Sequence, residues 1–169
     1  MNKETIKSLR QAIKEGELNT VKELLSANEG LLVVDTVFGS WLHVAADQGK
    51  IDIVKYLIES GIDINCNGGI SGGNALHSAA RHGYTDIIHI LYINGAKLDT
   101  SEATKNPLFA AICNGHYEVV KYLVDNGIDI TANYSIGQLE NVDAYEYARQ
   151  FGQTEIANYL KEKLDEMKG

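Results

Sequence analysis

An all-α solenoid of about five helix-turn-helix units stacked side by side is the fold class this sequence predicts, and three observations carry it. Glycines close similar segments at Gly16, Gly49, Gly83, Gly115 and Gly152, with spacings of 33, 34, 32 and 37 residues, and a period near that length marks a stacked-repeat protein. Small residues recur ahead of those glycines, as Ala45-Ala46, Ala79-Ala80, Ala110-Ala111 and the single Ala148, where closely paired helices leave no room for larger ones. Apolar helical stripes follow, and three of them end in a second glycine, Gly61, Gly95 or Gly127.

Taken in order, residues 1–34 form an N-terminal cap unit. Ile6, Leu9 (or Arg10) and Ile13 fall at helical spacing, Gly16 stops that helix, and Leu18, Val21, Leu24 and Leu25 mark a second. Asn28 stands where later units carry glycine, and asparagine is the next best residue for a left-handed backbone. The unit 35–67 places Ser40 to cap a helix over Trp41 to Gln48, with Ile51, Val54, Leu57 and Ile58 as the stripe of its partner. Units 68–100 and 101–133 repeat the scheme. Between units the chain alternates with period two, as in Ile62-Asp63-Ile64-Asn65 and Ile128-Asp129-Ile130-Thr131. Residues 134–169 hold a longer insertion, which accounts for the last interval, and a C-terminal cap unit. Its final helix puts Ile156, Tyr159, Leu160, Leu164 and Met167 on one face.

Leu42-His43-Val44-Ala45-Ala46, Leu76-His77-Ser78-Ala79-Ala80 and Pro107-Leu108-Phe109-Ala110-Ala111 carry a resemblance to the ankyrin repeat, whose signature runs Thr-Pro-Leu-His-x-Ala-Ala-x-x-Gly. The resemblance covers essentially the whole chain, closely in the three central units and loosely in the two caps. It implies an ankyrin-repeat solenoid in which the links between units turn outward as hairpin fingers along one edge. The histidine of the signature, His43 and His77 here, is then expected to hydrogen-bond across neighbouring turns. His89 and His116 are expected at the surface or between repeats.

Composition narrows the function. With 169 residues, 44% of them hydrophobic, the chain buries a core of one ordinary domain. The polar start and the lack of any apolar run near about 18 residues predict no signal peptide and no membrane partner, hence a cytoplasmic protein. Cys66 and Cys113 lie in different units, which favours free thiols over a disulfide. A net charge of -8 argues against nucleic acid and favours a basic protein partner.

Chemistry finds little footing. The run Asn67-Gly68-Gly69-Ile70-Ser71-Gly72-Gly73 has four glycines, which permit positive φ or close backbone approach. Gly68 and Gly73 share the offset of a phosphate-binding loop, but Asn74-Ala75 follows in place of Gly-Lys-Ser/Thr. The cysteines form no pair at the short offsets that zinc ligands use. No nucleophile motif or converging acid pair is present, so no catalytic residue, cofactor or metal is expected.

A protein-binding role is what the ankyrin resemblance implies, through the fingers and the two variable positions before each closing glycine. Those positions are Asp47 and Gln48, Arg81 and His82, Cys113 and Asn114, and Gln150 and Phe151. The fingers add Phe38, Ile70, Ser71, Glu102, Tyr134 and Glu140. Trp41 replaces the usual proline, and Phe38 the usual finger glycine. Either the two aromatics anchor a partner, or Trp41 packs onto its own repeat. Phe-Gly-Ser-Trp-Leu-His-Val-Ala-Ala and Gly-Gly-Ile-Ser-Gly-Gly-Asn-Ala-Leu further resemble small bacterial ankyrin proteins that act as toxin immunity partners. That resemblance implies a monomer that covers a basic toxin domain; the alternative is an adaptor or regulator docking an endogenous protein.

Overall fold

The computed structural model describes residues 2–169. Ten α-helices run in antiparallel pairs: α1 (Lys3–Glu15) with α2 (Leu18–Ala27), α3 (Trp41–Asp47) with α4 (Ile51–Glu59), α5 (Ala75–His82) with α6 (Thr85–Ile93), α7 (Pro107–Cys113) with α8 (Tyr117–Asp125), and α9 (Ala144–Gln150) with α10 (Thr154–Glu166). The odd-numbered helices form one row and the even-numbered ones a second, each helix touching its row neighbours and its own partner. The architecture is the expected all-α solenoid.

The inner helices α5, α7 and α9 each start at a polar residue that shields the first turn. Asn74 accepts the His77 N–H at 3.1 Å, Asn106 accepts the Leu108 N–H at 2.9 Å, and Asp143 accepts the Glu146 N–H at 2.8 Å. Asn74 and Asn106 work in two directions: Asn74 Nδ2 also donates to the Lys97 carbonyl, and Asn106 Nδ2 to the Tyr134 hydroxyl. Asn74 thereby ties the start of its unit to its end, and Asn106 joins helix capping to the stacking of neighbouring units in one side chain.

The core runs the length of the stack between the two rows. Ala45, Ala46, Ala79, Ala80 and Ala111 are fully enclosed, and Leu42, Leu76 and Leu108 fill the same layer one turn earlier. The signature histidine also bridges units. His43 Nδ1 accepts the Ser40 N–H at 3.2 Å, which leaves its proton on Nε2, 2.9 Å from the Gly73 carbonyl. Burial, the largest influence, lowers the His43 pKa and favours this neutral form. Farther along, His116 Nε2 reaches the Arg81 carbonyl at 3.0 Å and His89 Nδ1 the Tyr122 hydroxyl at 3.0 Å, so both lie between repeats.

Two expectations, for Asn28 and Trp41, need correction. Asn28 is extended at φ -131°; Gly30, at φ 79°, makes the left-handed turn, and Asn28 Nδ2 instead closes the helix by donating to the Leu24 carbonyl at 2.8 Å. The long insertion is the expected hairpin finger, with the added detail that it pairs as two short strands, β1 (Tyr134–Ile136) against β2 (Leu139–Val142). Trp41 is fully buried, with its indole N–H donating to the Leu31 carbonyl at 2.7 Å. That contact ties it to the preceding unit, and a fully buried ring leaves no surface for a partner.

Candidate partner-binding site

The residue two places before each closing glycine lies near the end of an inner helix. Along the row these are Lys14, Asp47, Arg81, Cys113 and Gln150. Two adjoining clefts open beside this row. The first, about 190 Å³, lies among α1, α3, α5 and the fingers, with Arg10, Lys14, Phe38, Asp47, Gln48 and Arg81 in its wall. The second, about 520 Å³, lies over α5 and α7 and is lined by His77, Thr104, Phe109, Cys113, Asn114 and Tyr147. Ile70, Ser71 and Arg81 line both, so the glycine finger is the partition.

That finger lies against its neighbour backbone to backbone. A Cβ on Gly69 would stand 3.0 Å from the Phe38 carbonyl oxygen, and one on Gly73 only 2.8 Å from Cβ and Cγ of His77. The close approach anticipated for this glycine run is therefore to another part of the same chain. At the neighbouring fingertip Thr36 and Gly39 pair in both directions, Gly39 N–H to Thr36 O at 2.8 Å and Thr36 N–H to Gly39 O at 3.2 Å. The tight turn presents Val37 and Phe38 outward. Phe38 is 42% exposed and Ile70 84%, and the Arg10 guanidinium sits 4.9 Å above the Phe38 ring, within cation–π range.

Asp47 is the electrostatic hub. Arg81 Nη2 and His82 Nε2 both meet its Oδ1, the latter at 3.0 Å, while Gln48 donates to Oδ2 at 3.1 Å. Burial pushes the Asp47 carboxyl up, but the hydrogen bonds from Arg81 and His82 outweigh it and the net displacement is downward. Arg81 Nε is enclosed without an acceptor among the described residues. Next to it, His77 Nδ1 lies 3.1 Å from the Ser71 hydroxyl. Burial, helped by the charges of Arg81 and His43, lowers the His77 pKa to about 4. Both signature histidines are consequently neutral at pH 7, and among the described residues no three His, Cys, Asp or Glu side chains gather as metal ligands would.

The pattern of paired helices, small buried alanines and histidine bridges has a known counterpart. A family model described as ankyrin repeats in three copies matches residues 9–102, 42–134 and 100–168. The chain belongs to the ankyrin-repeat family. That family is generally a non-catalytic interaction module. Palmitoyltransferase AKR1 of Lachancea kluyveri is 32% identical over 129 residues, 70% of this ankyrin chain and 17% of the relative. E3 ubiquitin-protein ligase XBAT32 of Arabidopsis thaliana is 35% identical over 129 residues, 74% of this chain and 25% of the relative. Cyclin-dependent kinase 4 inhibitor B of Rattus norvegicus is 29% identical over 116 residues, 68% of this chain and 88% of the relative. The first two relatives extend far beyond the matched stretch. No described helix is long and apolar enough to cross a membrane.

Among the residues expected at the surface, Phe38, Asp47, Gln48, Ile70, Ser71 and Arg81 meet at the first cleft, and Cys113 and Asn114 join Ile70, Ser71 and Arg81 at the second. His82 stands beside them on Asp47 and stacks on Tyr84. Glu102, Glu140, Gln150 and Phe151 line neither cleft; Glu102 is held by Lys105 at 2.5 Å, and Gln150 by Glu146 at 2.7 Å. Tyr134 is half-buried, with its hydroxyl donating to the Thr100 carbonyl at 2.6 Å and its ring edge-on to Phe109; these contacts tie the hairpin to the stack. Arg10, Lys14 and Tyr147 were not anticipated. Lys14 is the first unit's copy of the variable position, and Arg10 lies one helical turn before it on the same face.

Proposed function

We propose that this chain is a non-catalytic module that binds one protein through the two clefts and the apolar fingertips beside them. The observation that carries the reading is the pairing of exposed Phe38 and Ile70 with a guanidinium at each cleft, since aromatic and arginine anchors dominate interface energetics. The finer reading is a regulator or adaptor that docks an endogenous protein. It draws support from the rat relative, nearly all of which is matched and whose name describes inhibition of a kinase.

A photo-crosslinking side chain at position 70, in cells of the source organism, should capture one protein, and Arg81→Glu should abolish the capture. The same probe at Lys55, exposed on α4, should capture nothing. Equal capture from both positions would refute a binding face on the inner row. Immunity to a toxin is a second reading, supported by the resemblance of the finger motifs alone. It requires that expression of this chain rescue cells carrying a toxin encoded beside it, and no rescue removes it.

A further inference from the structure

The whole chain is acidic, with 23 Asp and Glu against 15 Lys and Arg. The clefts invert that balance. Arg10, Lys14 and Arg81 line the first cleft, and among the described residues Asp47 is the one carboxylate in the walls of either cleft. Because exposed charges act over roughly 10 Å at 0.1 M salt, a bound segment senses these local groups more than distant acids on the outer helices. Asp47 meets one guanidinium nitrogen of Arg81 through Oδ1, and no ion pair engages Arg10 or Lys14 among the described residues. Guanidinium groups present several donors that match carboxylates. The exposed ring of Phe38 and side chain of Ile70 border the same groove.

We infer that the first cleft receives an acidic segment of the partner, its carboxylates on Arg10, Lys14 and Arg81 and an apolar side chain against Phe38 and Ile70. This rests on the protein-binding reading and narrows it to a ligand of negative charge, the opposite of what net charge suggests. Asp47 then acts as an internal placeholder that occupies Arg81 until the segment arrives.

Two short peptides test it on the full chain: glutamates interrupted by one leucine and one phenylalanine, and the same peptide with lysine at every glutamate. The glutamate peptide is expected to shift the amide resonances of Arg10, Phe38, Ile70 and Arg81, and to bind more weakly as salt is raised. Arg10→Glu with Lys14→Glu, the first half-buried and the second exposed on α1, should weaken it by about tenfold or more, and exposed Lys14→Glu alone should weaken it with the fold retained. Asp47→Asn, which removes the competing carboxylate, should strengthen it. Preferential binding of the lysine peptide at the same residues overturns the inference while the protein-binding reading stands. No shift with either peptide also overturns it, and the crosslinking at position 70 then decides the broader reading by itself.

Discussion

Trp41 illustrates how a residue's identity differs from its direction. The sequence places a large aromatic where a proline is usual, beside an exposed phenylalanine, and nothing in the spacing says which way the ring points. The indole turns inward because its N–H finds the Leu31 carbonyl, which allows full burial without an unmet donor. Trp41→Ala should therefore lower unfolding free energy by about 3 to 5 kcal/mol in a urea titration. Peptide affinity of the folded protein should stay the same; a selective loss of binding would contradict the burial. His77 makes a pH-dependent prediction. Its folded pKa is about 4 against an ordinary 6.5, so between those values the unfolded chain binds more protons and stability falls as pH is lowered. Between pH 7 and pH 5 the group accounts for about 2 kcal/mol, and His77→Gln should remove that part of the slope in matched urea titrations. An unchanged slope would show that His77 is not held neutral.

At the scale of elements, the helices were legible because their punctuation is chemical. Gly83 follows α5 at φ 78°, a conformation that side chains disfavour, and the same residue recurs after α1, α3, α7 and α9. The alanine pairs were legible from the same logic, since facing inner helices admit only small side chains. Ala46→Leu should cost about 1 to 3 kcal/mol through overpacking between neighbouring helices, seen as a lower urea midpoint with an unaltered slope. A neutral result would mean that the rows can separate. Less legible was the insertion. Tyr134-Ser135-Ile136 and Leu139-Glu140-Asn141-Val142 are too short to announce strands. The hairpin forms because Tyr134 is fastened to Thr100 and Asn106, Val142 is buried, and Asn141 at φ 56° absorbs the irregular register. Those anchors lie in another unit, beyond the reach of local sequence.

For the molecule as a whole, periodicity disclosed the solenoid and, through the positions before each closing glycine, much of the first cleft's rim. Asp47, Gln48 and Arg81 were found that way. Arg10 and Lys14 escaped because the first unit departs from the pattern that identifies the others, although counting back from Gly16 reaches Lys14 directly. The charge of the groove escaped for a different reason: net charge sums over a surface, whereas recognition reads the few groups facing the ligand. Finally, the Gly69 backbone lies against the Phe38 carbonyl with no intervening side chain, so the two fingertips meet as one continuous lip. An incoming segment meets a mould already set, so little freedom remains to be surrendered on this side of the complex. Any substitution that wedges a methyl group into that seam should be felt first as faster release.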